Sequence, residues 1–180
     1  MTPFTVLTAP VAVLDRANID TDQIIPARFL RKPRSAGYGG FLFADLGVRL
    51  PAGSAILRAG ENFGCGSSRE GAVYALVDAG IRCVIAPGFG DIFAGNAAQN
   101  GLLTVALSLD VPEGTVLTVD LPAQEVRLPG GTPHRFAIDA FRKQRLLEGR
   151  DDIDLTLAHA AEIAAFEAAD RAARPWAAIG

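Results

Sequence analysis

The chain has two cysteines, two histidines and one tryptophan among its 180 residues, and each scarcity excludes something. Cys65 and Cys83 are too few and too far apart for a zinc or redox motif, and a disulfide between them is not expected in a reducing compartment. With only His134 and His159, one in a strand-like region and one in a helical tail, a Ser-His-Asp hydrolase lacks its base, and both read as ordinary surface or packing residues. Positive charge is not in excess: 17 Lys and Arg face 20 Asp and Glu, for a net charge of −3. A phosphate backbone needs a basic field, so nucleic acid is not an expected partner. No stretch approaches the ~18 apolar residues of a membrane span, and Met1 to Val13 lacks a positive leader region. No membrane association is expected, and the cytoplasm is the simplest location. There is no internal repeat and no low-complexity segment.

What remains is ordinary globular material, 49% apolar and 21% charged. Its 19 glycines and 11 prolines fall in clusters between apolar runs, which marks many turns rather than a linker. One domain over residues 1–180 is expected, with a helical extension from about residue 141.

The middle is the clearest part. Ser54 to Ala59 reads as a short strand, followed by the glycine-rich turn Glu61-Asn62-Phe63-Gly64-Cys65-Gly66. Ser67 to Ala79 has helical spacing at Ala72, Leu76 and Ala79, and Gly80 stands where a helix ends. Cys83 to Ala86, closed by Pro87, reads as a buried strand. A second copy follows, with a helix over Asp91 to Gln99, a stop at Asn100-Gly101 and a strand over Leu102 to Leu107. Strands in such an order run parallel, and ligands bind at their carboxyl ends. From Thr115 the pattern turns to short alternating strands, near Val116 to Leu121, Glu125 to Leu128 and Arg135 to Ile138. Phe141 to Leu147 and a longer segment from about Asp152 to Ala169 read as helices, the latter capped by Asp151 or Asp152.

Chemistry concentrates at the start of the first helix. Ser67-Ser68-Arg69-Glu70 fits a capping box, in which serine and glutamate satisfy orphan backbone N–H groups. That local explanation covers Ser67 and Glu70 and leaves the rest unaccounted. Gly64 and Gly66 allow close backbone approach, the helix start presents N–H groups, and Arg69 adds a planar charged fork. Together they describe a site for an anion, and a carboxylate suits the fork well. Neither a P-loop lysine nor G-x-G-x-x-G spacing is present, so a nucleotide is disfavoured. Ser67 and Ser68 are the hydroxyls beside this cluster, and a serine can take a proton only where its alkoxide is strongly stabilised.

The run Asn62-Phe63-Gly64-Cys65-Gly66-Ser67-Ser68-Arg69-Glu70 resembles the signature of the aconitase superfamily's swivelling domain, in the form found in isopropylmalate isomerase small subunits. Three further blocks resemble the same family in order: Asn18-Ile19-Asp20-Thr21-Asp22-Gln23-Ile24-Ile25-Pro26; Ala86-Pro87 through Asp91-Ile92-Phe93 to Leu103; and Leu146 to Leu157. The resemblance implies an α/β fold, a layered β/β/α domain with a C-terminal helical tail. It implies a hydro-lyase subunit, inactive alone, that moves a hydroxyl between adjacent carbons of 2-isopropylmalate through isopropylmaleate, in leucine biosynthesis. The large subunit holds a [4Fe–4S] cluster through three cysteines, its iron acting as Lewis acid. Two cysteines cannot supply three ligands, so no cofactor is expected in this chain. The expected partners are that large subunit and a small dicarboxylate.

By the same resemblance Ser67 matches the residue that removes the carbon-bound proton, and Asp22 an acidic position that orients groups across the cleft. Ser68, Arg69 and Gly66 match substrate-binding positions, and Arg28 is a further candidate from the loop between Arg28 and Gly40, as are Arg31 and Arg34. Two residues depart from the pattern: Gly71 stands where relatives usually have histidine, and Arg145 where cysteine is common. The glycine costs at most ~1 kcal/mol of helix stability, but it puts substrate identity in question. The alternatives are a related hydratase acting on citraconate, dimethylmalate or homoaconitate, and a non-catalytic binding domain in which the glycines are only turns.

Overall fold

The computed structural model describes residues 1–177. It divides into two compact units, Met1–Gly149 and a second beginning at Arg150.

The first unit is built on one curled seven-stranded mixed sheet of order β4-β3-β2-β1-β5-β6-β7. Its central strand β1 (Val6–Leu14) serves two partners along its length. Val11 to Leu14 pair parallel with β2 (Ile56–Ala59), while Val6 to Pro10 pair antiparallel with β5 (Val116–Asp120). Pro10, which has no N–H to offer a ladder, lies where the pairing changes sides. Beyond β2 come β3 (Cys83–Ala86) and β4 (Leu103–Ala106), all parallel. Beyond β5 come the antiparallel β6 (Glu125–Arg127) and β7 (His134–Arg135). The third short strand expected over Arg135 to Ile138 is thus only two residues long and begins one earlier.

The parallel strands carry apolar side chains on both faces because both are covered. In β3, Cys83 and Ile85 join Ile56, Val105, Leu117, Val119 and Val126 in a core enclosed by the curl of the sheet. Val84 and Ala86 face the other way, with Leu57, Ala72, Leu76, Phe93 and Ala97, beneath the helices. Two sheet layers and a helical layer result, as the family resemblance implies. The helices on this side are α1 (Thr21–Ile24), α2 (Glu70–Asp78) and α3 (Asp91–Gln99). Gly80, at φ +93°, stops α2: its N–H donates to Val77 O and that of Ile81 to Leu76 O, which satisfies two terminal carbonyls. Gly101, at φ +77°, follows the end of α3, where Leu102 N donates to Ala97 O.

The loop between Arg28 and Gly40 is more ordered than its weak periodicity suggests. It winds into 3₁₀ turns at Ala27–Arg31, Arg34–Ala36 and Tyr38–Phe41. The helix expected near Phe141 is α4 (Ala140–Glu148), part of the first unit, and Gly149 ends it in the left-handed region. The second unit is helical. Instead of one segment it contains α5 (Asp152–Leu157), capped by Asp151 and Asp154 reciprocally, and α6 (Ala160–Ala173). Among the described residues no helix is long and apolar enough to cross a membrane.

Candidate active site

The glycine-rich loop leaves the carboxyl end of β2 and is held on both sides by backbone hydrogen bonds. On one side lies the N-terminal block. Asn18 N donates to Glu61 O (2.8 Å), Gly64 N to Ile19 O (2.7 Å) and Thr21 N to Cys65 O (3.0 Å). Side chains add two links, Asn62 Nδ2 to Asn18 Oδ1 (2.8 Å) and Thr21 Oγ1 to Ser67 O (3.0 Å). On the other side Phe63 N donates to Gly88 O and Gly90 N to Phe63 O, each at 3.0 Å. Three blocks far apart in sequence therefore meet in one surface.

Gly64 has to be glycine here. Its φ is +73°, and a Cβ would stand 2.2 Å from Phe93 Cγ. The ring beneath it belongs to an aromatic trio in which Phe63 meets Phe93 edge-on at 5.4 Å and Phe89 stacks on Phe93 at 6.4 Å. This packing fixes the height at which residues 65–69 leave the core. Gly66, at φ +91°, is exposed, as are Ser67 and Ser68.

Ser67 does not cap the helix. The N-cap of α2 is Arg69, in extended conformation, with no side-chain hydrogen bond to the helix start. The capping-box reading is corrected on this point: the helix begins at Glu70 with Arg69 as its N-cap, so Ser67 lies outside the capping position, and the Glu70 carboxylate turns along the helix to accept the Tyr74 hydroxyl at 2.6 Å. The local explanation of Ser67 falls away, and its side chain is left in solvent beside Arg69.

The Arg69 side chain is only 19% exposed, and its guanidinium Nη1 forms an ion pair with Asp22 Oδ1. The same carboxylate oxygen accepts the Ala27 N–H at 3.2 Å. The hydrogen bond from Arg69 holds the Asp22 carboxyl below its ordinary pKa, partial burial opposing and the amide assisting. The candidates Asp22, Gly66, Ser67, Ser68 and Arg69 are thus gathered at one place. Arg28 is engaged elsewhere, in a two-pronged pair with Asp45 (Nη1 to Oδ2, 2.7 Å), with its guanidinium 4.6 Å above the Phe29 ring. Arg31 is exposed, and Arg34 pairs with Asp78 at 2.8 Å. His134 and His159 are exposed on β7 and ahead of α6.

Gly71 is buried in the first turn of α2, and the space a side chain would take is filled. An ideal Cβ would lie 2.4 Å from Leu30 Cδ2 and 3.5 Å from Tyr38 Cε2. Sequence reasoning did not single out Thr21, Leu30, Tyr74 or Phe93. Thr21 and Phe93 had a signal, in that they lie within the Asn18 to Pro26 and Ala86 to Leu103 blocks, whereas Leu30 and Tyr74 are ordinary core types.

Among the described residues no group of three or more His, Cys, Asp and Glu could hold a metal ion. Cys83 is fully buried, which pushes its thiol well above the usual range, and Cys65 is half-buried and unbonded. The residues present do not fit an iron–sulfur cluster, which needs several thiolates converging.

Comparison with known proteins agrees along the chain. Residues 49–110 match the aconitase C-terminal domain, 111–140 the family described as LeuD_N, and 152–179 the C-terminal domain of the 3-isopropylmalate dehydratase small subunit. The crystal structure of 3-isopropylmalate dehydratase (leuD) from Methanocaldococcus jannaschii DSM2661 superposes with a TM-score of 0.72. It is 27% identical, over 90% of this chain and 99% of that one. The resemblance carried by the sequence motifs is borne out, and so is the swivelling-domain fold.

Proposed function

We propose that this chain, whose motifs and fold are those of 3-isopropylmalate dehydratase small subunits in the aconitase superfamily, is the small subunit of a cytoplasmic isopropylmalate isomerase in leucine biosynthesis. It interconverts 2-isopropylmalate and 3-isopropylmalate through isopropylmaleate only when assembled with a large subunit that holds the [4Fe–4S] cluster. The observation that carries the reading is the exposed Ser67 hydroxyl beside an arginine fork that Asp22 holds in place. That surface is open, as half of a site closed by another protein should be.

The roles of this chain's residues follow from their placement. Arg69, with Ser68 and the backbone at Gly66, binds a substrate carboxylate through charge-assisted hydrogen bonds. Ser67 Oγ removes the proton from the substrate carbon in dehydration and returns it in hydration. Its alkoxide is stabilised by the Arg69 charge and by the N–H groups at the start of α2, donors fixed before the reaction begins. Asp22 is a positioning residue that acts through Arg69. Arg28 recognises substrate only after leaving Asp45.

A second reading keeps this chemistry on another diacid, citraconate, dimethylmalate or homoaconitate. It is favoured by Gly71, where Leu30 fills the place of the usual histidine. The deciding experiment mixes the purified chain with its large partner, the cluster reconstituted anaerobically, and follows alkene absorbance on adding each diacid separately. Turnover of 2-isopropylmalate by the mixture and by neither protein alone supports the isomerase. Turnover of another diacid alone supports the second reading. Silence with all of them, given an intact cluster and a formed complex, points to a non-catalytic binding domain.

A further inference from the structure

The segment over residues 27–41 is clamped onto α2 at three points. Near the start of α2, Leu30 and Tyr38 occupy the space beside Gly71. At its end Gly39 approaches so closely that a Cβ would lie 2.6 Å from Ala79 N. Between them Arg34 lies over the Tyr74 ring, 4.1 Å from its centroid, and donates to Asp78 at 2.8 Å. Tyr74 is therefore held from above by a cation and from the side by Tyr38, whose ring is 6.5 Å away. Its hydroxyl reaches back one turn and donates to Glu70 Oε2 at 2.6 Å. That bond, then burial, raises the phenol's pKa, so the hydroxyl stays protonated and remains a donor at any working pH.

Glu70 is the residue after Arg69, exposed and in the first turn of α2. A mobile carboxylate at that position would repel an incoming dicarboxylate and compete for the Arg69 fork. We infer that Tyr74 is a positioning residue, whose hydroxyl holds the Glu70 carboxylate along α2 and so keeps a negative charge away from the carboxylate-binding run Ser67-Ser68-Arg69. The inference rests on the function proposed above. It gives the clamped segment a second task, since Arg34 fixes the ring that fixes Glu70. Arg34 thus acts on the site without touching substrate.

The test is a double-mutant cycle in the assembled two-subunit enzyme, with the diacid that wild type turns over. Tyr74→Phe keeps the ring beneath Arg34 and removes only the hydroxyl. It is expected to raise KM roughly three- to tenfold, as a partly screened like charge would, with kcat within about twofold. Glu70→Gln removes the repelling charge, so in that background Tyr74→Phe should leave KM unchanged. A packing defect would persist there. An unchanged KM in Tyr74→Phe, a rise that Glu70→Gln does not reverse, or a Tyr74→Phe chain that fails to fold would each overturn the inference while leaving the function standing. Absence of turnover by wild type with every diacid would instead remove the function, and the inference with it.

Discussion

Asp22 grips Arg69 with the same oxygen that accepts the Ala27 amide, so one carboxylate ties the N-terminal block, the signature run and the segment over residues 27–41 together. An arginine alone on a surface is a flexible charge. Fixed in this way it becomes a fork with a direction, as the proposed carboxylate site requires.

Removing that restraint should show as weaker substrate binding rather than lost folding. Asp22→Asn is expected to raise KM for the diacid roughly tenfold in the assembled enzyme, with a modest fall in the thermal midpoint of the isolated chain, because the Asp22 half of the pair is exposed while the Arg69 half is largely buried. Steady-state kinetics and a melting curve check both halves.

The pH dependence of the pair has a definite sign. Arg69 lowers the Asp22 pKa in the folded chain below its ordinary value of 3.8, so the contribution is fully present above that value and is lost as pH falls through the lower folded pKa. NMR titration of the Asp22 carboxyl should give a midpoint below 3.8 in wild type, moving back toward 3.8 in Arg69→Gln. A wild-type midpoint at or above 3.8 would contradict the pairing.

Thr21 supports Ser67 through a single hydrogen bond to its carbonyl. Thr21→Val should cost about 1 kcal/mol in denaturant unfolding. It should lower kcat by more than that loss of stability suggests, because the hydroxyl proposed to transfer the proton shifts with its backbone. An unaltered kcat would mean that the Thr21 bond is only structural.

At Gly64 both the left-handed backbone and the Phe93 ring oppose any side chain. Gly64→Ala should destabilise by about 2–4 kcal/mol, from strain and overpacking together. Equilibrium denaturation measures it, and a loss under about 1 kcal/mol would show that the loop has other places to go.

Gly71 meets a softer obstacle, the tip of Leu30. Gly71→His is expected to displace Leu30 and loosen the 27–41 segment, seen as faster proteolysis there. Leu30→Ala should restore protection in the Gly71→His background, since it empties the space the imidazole needs.

The sequence by itself determined the parts whose signals are local. Helices α2 and α3 and strands β2, β3 and β4 follow from apolar spacing and from Gly80 and Asn100-Gly101, since a helix stop and a buried run are each written within a few residues, whereas the start of α2 at Glu70 is not the one Ser67 signals. The residue types of the site were legible too, as a fork, two hydroxyls and permissive glycines within one short run. The tertiary structure alone decided β1, where Pro10 interrupts the strand pattern and the two halves find partners on opposite sides. It also decided the fate of Ser67, whose carbonyl is claimed by a residue 46 positions away, and the pairings of Asp22 with Arg69 and Arg28 with Asp45. Propensity and periodicity reach about one turn of helix or a few residues of strand. Which charge meets which across the fold depends on where the sheet and its loops bring them, and backbone hydrogen bonds between loops leave no mark on residue type.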